Sequence, residues 1–141
     1  MNRRSMVNSR LVSRPVNWST FNGTLDIYDP GNTFTISQNI EGPGSFTKAG
    51  AGTLLLSGTN TYAGATTVTG GNVMLLSPGA LPAGTDFMAS MTAPGWIDLN
   101  GYSVSFNRFA TNNTTQASLL NTGASTSTVT IGVRDFNKAS A

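Results

Sequence analysis

Residues 42 to 76 read Gly42-Pro-Gly-Ser-Phe-Thr-Lys-Ala-Gly-Ala-Gly-Thr-Leu-Leu-Leu-Ser-Gly-Thr-Asn-Thr-Tyr-Ala-Gly-Ala-Thr-Thr-Val-Thr-Gly-Gly-Asn-Val-Met-Leu-Leu76. Two apolar runs, Thr53 to Ser57 and Asn72 to Leu76, are cut short by glycine, asparagine or proline. Runs of that length between turn residues predict strands, and their density in leucine fits strands covered on both faces or lying against a neighbouring element. Periodicity alone does not separate them from pieces of buried helix.

Outward from this stretch the period of two is clearer. Leu25 to Tyr28 runs into the turn sequence Asp29-Pro30-Gly31-Asn32, and Thr33 to Ser37 alternates with Phe34 and Ile36 on one face. Trp96 to Leu99 leads through Asn100-Gly101 into Tyr102 to Phe106, and Thr126 to Val133 places Val129, Ile131 and Val133 together. The Asn100-Gly101 pair suits either a type I′ hairpin or a corner between successive strands of one coil, since both residues tolerate positive φ. Closely spaced short strands of this kind fit a sandwich, a barrel or a solenoid alike.

Composition narrows the class. The 141 residues include 20 Thr, 16 Gly, 15 Ser and 14 Asn, with only 10% charged residues and a net charge of +2. Thr favours strands through its branched Cβ, while Gly, Asn and Ser supply turns. The absence of Cys and His excludes disulfides and, within this chain, Ser-His-Asp and Cys-His catalysis. No apolar run approaches the roughly 20 residues of a membrane-spanning helix. The start carries basic residues, but Asn8, Ser9, Arg10 and Arg14 interrupt any signal-peptide core, so the sequence reads as an excerpt of a longer chain or as one exported by another route.

The quoted stretch closely resembles the autotransporter-associated β-strand repeat, also called the passenger-associated transport repeat. The resemblance is carried by Thr47-Lys48, Gly50-Ala51-Gly52-Thr53-Leu54, Leu56-Ser57-Gly58, Asn60-Thr61-Tyr62, Gly64 and Thr66-Thr67-Val68. Ile97-Asp98-Leu99-Asn100-Gly101 and Leu120 to Thr130 resemble coils that follow this repeat. Two departures are Val73-Met74 in place of Thr-Leu and the long Leu81 to Pro94 segment, read as an inserted loop. The resemblance implies an all-β fold, a right-handed parallel β-helix of a few coils, with residues 18–141 as the β-helix module and 1–17 as an extended basic arm. Gly42, Gly44, Gly50, Gly52, Gly58 and Gly64 then mark corners. Asn60, Asn100 and Asn121 either stack as amide ladders or bond only their own turns.

Candidate chemistry is sparse. No nucleotide-binding Gly-x-Gly-x-x-Gly run and no Gly-Gly-x-Gly-x-Asp calcium repeat occurs, so no cofactor or metal is expected. Some β-helices act on glycans through paired carboxylates, which directs attention to the six acids Asp26, Asp29, Glu41, Asp86, Asp98 and Asp135. Asp26 and Asp98 alternate with apolar neighbours and are expected to face outward. Lys48 is expected to be an outward lysine that discourages lateral strand pairing.

Arg3, Arg4, Arg10 and Arg14, with no acid among them, make the stretch from Met1 to Arg14 the most basic part of the chain. No aromatic interleaves them before Trp18, so nucleic acid is not the expected partner. Met6, Val7, Leu11, Val12, Val16 and Trp18 offer an apolar grip on a neighbour. Together these features predict a structural, non-enzymatic β-helix module of a bacterial surface or secreted protein, a stalk or passenger scaffold. The alternatives are a self-assembling filament subunit that stacks end to end through open edges and the arm, with self or neighbouring coils as partner, and a glycan-active enzyme.

Overall fold

A computed structural model describes residues 19–111 and 117–132 and the short strand Arg10–Leu11. No helix occurs among them; the short Thr- and Leu-rich runs are all strands, and all pair in parallel. One sheet stacks β1 (Arg10–Leu11), β3 (Thr33–Ile36), β5 (Thr53–Leu56), β7 (Asn72–Leu75), β9 (Gly95–Asp98) and β11 (Ala117–Leu120) in that order. The other stacks β2 (Gly23–Asp26), β4 (Phe46–Ala49), β6 (Thr66–Val68), β8 (Thr85–Ala89), β10 (Val104–Thr111) and β12 (Val129–Ile131). Consecutive strands alternate between the sheets, so each coil contributes one strand to each. This is the parallel β-helix that the repeat implied, and crossovers of this kind between parallel strands are right-handed in nearly all proteins.

The coil is set by register. Thr33 pairs with Thr53 and Thr53 with Asn72, so these two coils are almost equal in length. Within a coil, a strand such as β4 turns sharply at Gly50–Gly52 into β5, and an arc over 57–65 leads on to β6. Val73 pairs with Ile97, which closes a longer coil. The Leu81 to Pro94 segment is nevertheless not an inserted loop: it contains β8, which pairs with β6 and β10. The Asn100-Gly101 pair makes a corner and no hairpin, with φ of 49° and 84°, because β9 and β10 lie in different sheets.

Alternation fills the interior with rows. Phe34, Leu54, Val73 and Ile97 succeed one another in register and are all buried. Leu55 and Met74, which follow Leu54 and Val73 in sequence, lie half-buried on the outer face, so β5 and β7 are covered on one side and not on both. In the second sheet a bulge at Asn107 shifts the register of β10 and brings Phe109 onto Phe87, the rings nearly parallel with centroids 5.7 Å apart. Phe106 lies 5.0 Å from Phe87. Each fully buried side chain of this size contributes about 1.5–3 kcal/mol, which is how a chain with so little charge holds together without disulfides.

Of the basic arm, the strand Arg10–Leu11 extends the first sheet, with Arg10 opposite Thr35 and Leu11 opposite Ile36. Arg3, Arg4, Arg14 and Trp18, and the boundary between residues 17 and 18, lie outside the described residues.

Candidate functional site

The repeat residues occupy two consecutive coils, β4 with β5 and β6 with β7, and most of them hold one coil to the next. Lys48 corrects the sequence reading: it is an inward residue with 0% exposure, standing in a row between Leu25 and Val68. Its stem takes the place of an apolar side chain. Its Nζ donates to the carbonyl oxygens of Ala49 at 2.9 Å, Gly50 at 2.8 Å and Gly70 at 3.0 Å. Three donors meet three acceptors, which is the full capacity of an ammonium group. Burial pushes the amine down from 10.5 to about 8, with the charge of Asp26 acting in the opposite direction.

That arrangement depends on the corner beside it. Gly50 has φ of 80°, and a Cβ there would collide with the Ile27 carbonyl of the preceding coil. Gly64 has no positive φ, yet a Cβ on it would run into the Gly44 carbonyl. The glycines thus answer to two needs, a left-handed backbone and close coil-to-coil approach. Outside the corner a groove of about 340 Å³ runs between Gly50–Ala51 and Thr92–Pro94, and its lining includes no ionisable side chain.

Asn60 reaches both neighbouring coils. Its Oδ1 accepts from the Ile40 amide at 2.9 Å and its Nδ2 donates to the Ala80 carbonyl at 2.6 Å. Asn100 donates to the Leu75 carbonyl, and Asn121 accepts from the Gly101 amide. These bonds run to the backbone of adjacent coils, so Asn60, Asn100 and Asn121 form neither a ladder of stacked amides nor purely local turns.

Tyr62 turns inward to continue an aromatic row, 6.1 Å from Phe46, which is itself 5.7 Å from Phe21. Its hydroxyl bonds Thr66 Oγ1, which bonds Thr85 Oγ1, which in turn donates to the Gly64 carbonyl at 3.1 Å. Burial pushes the phenol up to about 12, against the pull of the Thr66 bond. Of the other repeat residues, Leu54, Leu56, Gly58 and Val68 are buried, Thr47, Thr53, Ser57 and Thr67 half-buried, and Thr61 exposed. Thr47 and Thr67 share an outward row with Thr24.

Asp98 also departs from expectation: it is 1% exposed. Its carboxylate accepts from the Asn100 amide at 2.9 Å, the Thr122 amide at 3.0 Å and the Thr122 hydroxyl. Burial acts to raise this carboxyl, but the bonds from Thr122 and Asn100 together outweigh it and hold it below the usual carboxylate range. Alternation alone puts it outside, because it takes no account of partners such as Thr122 that the next coil supplies. The available signal was Asp98 standing two positions before Asn100, the spacing of a side chain that caps its own turn. Asp26 is exposed, as expected, and sits in the opposite sheet from Asp98. Among the described residues no three acidic, His or Cys side chains cluster as metal ligands, and no helix is long and apolar enough to cross a membrane.

Residues 46–74 match the family model of the passenger-associated-transport-repeat. Those limits fall at the first residue of β4 and within β7, so the match spans the two coils just described. The chain is 35% identical over 83 residues, 59% of its length, to the adhesin BmaC autotransporter of Brucella suis biovar 1 (strain 1330). That alignment spans 2% of the adhesin. No solved structure gives a significant match.

Proposed function

We propose that this chain, which carries a passenger-associated transport repeat, is a scaffold segment of an autotransporter-like passenger, held at the bacterial surface or released from it. The observation that carries this reading is the fate of the repeat's polar residues. Lys48, Asn60 and Thr66 each bond a neighbouring coil, Lys48 also bonds the corner beside it, and Tyr62 holds Thr66 within its own coil. Inward polar residues that join one coil to the next suit a rod that grows by repetition. At roughly 4.8 Å per strand, the six strands of each sheet make a rod segment about 24 Å tall.

A non-catalytic role is supported by the same accounting. The inward lysine is bonded to three carbonyls, and the buried carboxylate is bonded to Thr122 and Asn100. Similarity to a small part of an adhesin fits a spacer that positions binding surfaces located elsewhere on a longer protein.

Antibodies against this chain, applied to intact cells that produce the protein, test the reading. Labelling of unpermeabilised cells, or recovery of the chain from the medium, is the expected result; signal only after permeabilisation would overturn it.

A further inference from the structure

Asparagine followed by glycine is the dipeptide most prone to deamidation, because glycine puts no side chain between its own backbone nitrogen and the asparagine carboxamide. The sequence has two such pairs, Asn22-Gly23 and Asn100-Gly101. The reaction is intramolecular. The glycine nitrogen gives up its proton and attacks Cγ of the asparagine; a C–N bond forms, the Cγ–Nδ2 bond breaks, and ammonia leaves with the proton. Water then opens the resulting succinimide at either carbonyl, which leaves aspartate or isoaspartate. A free glycine N–H and a carboxamide able to swing towards it are both required.

In the folded chain the second pair has neither. The Gly101 N–H donates to Asn121 Oδ1 at 2.7 Å, and Asn100 Nδ2 donates to the Leu75 carbonyl at 3.0 Å. The nucleophile is thus held by the following coil and the leaving group by the preceding one. Gly123 covers the same peptide: a Cβ on it would collide with the Asn100 carbonyl carbon and the Gly101 nitrogen. Asp98 fastens this cover in place, accepting from the amide and the hydroxyl of Thr122, which stands between Asn121 and Gly123.

We propose that Asn100-Gly101 is a latent modification site, a succinimide-forming pair kept inert by Asn121 to Gly123 of the next coil, which deamidates when that segment lifts. Segments of low local stability open without global unfolding, and each opening frees the Gly101 nitrogen. The product no longer fits the closed corner. A carboxylate in place of the amide turns an acceptor towards the Leu75 carbonyl, where a donor stood, and adds a negative charge two residues from Asp98. Isoaspartate also lengthens the main chain by a methylene. A reversible opening is thereby converted into a permanent change, whatever the place of this coil on a longer protein.

Asn22-Gly23 supplies an internal reference. Asn22 Oδ1 accepts from the Ser45 amide at 3.1 Å, and the Gly23 N–H donates to the Ser45 carbonyl at 3.2 Å. These bonds join β2 and β4, which lie at the other end of the stack from β11.

Peptide mapping by mass spectrometry, on chains kept in mildly alkaline buffer, reads both pairs at once. In urea the two are expected to deamidate at similar rates. In the folded wild-type chain Asn100 should lag far behind its rate in urea. Asn121→Ala should speed it about tenfold, the factor carried by one net hydrogen bond, and leave Asn22 unchanged. Asn121→Asp, which keeps an acceptor for the Gly101 N–H, should stay near the wild-type rate. A folded wild type that loses its Asn100 amide as fast as in urea would overturn the proposal, as would equal rates at Asn100 in the wild type and Asn121→Ala. So would Asn121→Asp reacting as fast as Asn121→Ala. Acceleration of Asn22 alongside Asn100 would overturn it too, since Asn121 would then support the stack as a whole and not this corner.

Discussion

The ammonium of Lys48 donates to the carbonyl oxygen of Gly70, one coil further along the chain, at 3.0 Å. Two successive corners are thereby tied by one side chain, and the Thr-Lys and Gly-x-Gly parts of the repeat become one device. The glycines bring carbonyls to the inside of the corner, and the lysine satisfies them.

Lys48→Met keeps the stem and removes the donors, leaving buried carbonyls unpaired. The expected loss is about 3 kcal/mol, read from urea unfolding at neutral pH. Since folding lowers the amine from 10.5 to about 8, the unfolded chain binds its proton more tightly across that interval. Wild-type stability should therefore rise, relative to Lys48→Met, as pH goes from about 8 to 10.5, and a parallel pair of curves would contradict the assigned environment.

Asp98 works at the other corner type. Asp98→Ala strands the amides of Asn100 and Thr122, for an expected cost of about 2 kcal/mol at pH 7. Its carboxyl is held below the usual range, so the contribution is fully present above about pH 4 and is lost as pH falls through the lower folded value. Thermal melts of the two proteins should converge towards pH 2.

Asn60→Ala removes partners from two different coils at once, the Ile40 amide and the Ala80 carbonyl. About 2–3 kcal/mol is expected. Asn39, exposed and accepting only from the Thr59 amide among its described bonds, provides the control: Asn39→Ala should cost less than about 1 kcal/mol. Equal losses in chemical denaturation would show that bridging coils confers nothing extra.

The β-rich class and most strands were legible in the sequence because Phe34 and Ile36, or Val129 and Ile131, alternate over a polar face. The repeat then distinguished a solenoid from a sandwich. β4, β6 and β8 were less visible, since Phe46-Thr-Lys-Ala, Thr66-Thr-Val and Thr85-Asp-Phe-Met-Ala put lysine or threonine at inward positions. Burial of Lys48 and Asp98 was hidden for a related reason: polarity marks a residue as outward unless its partners are known, and those partners include Gly70 and Thr122, each a full coil away. The exposure of Leu119 has no sequence signature, because Leu54 is as apolar and yet 0% exposed, with β3 and β7 paired on either side of it.

The central claim is that one coil is an interchangeable unit of the scaffold, and removing one tests it most directly. Thr53 and Asn72 are register partners, so deletion of residues 53–71 joins Gly52 to Asn72 and removes one turn of the solenoid while leaving every remaining strand in phase. Thermal unfolding followed by circular dichroism should show a cooperative β-sheet transition for this shortened chain, whereas deletion of only residues 53–62, half a turn, should abolish it. Loss of cooperative folding in both deletions, or its retention in both, would contradict the account.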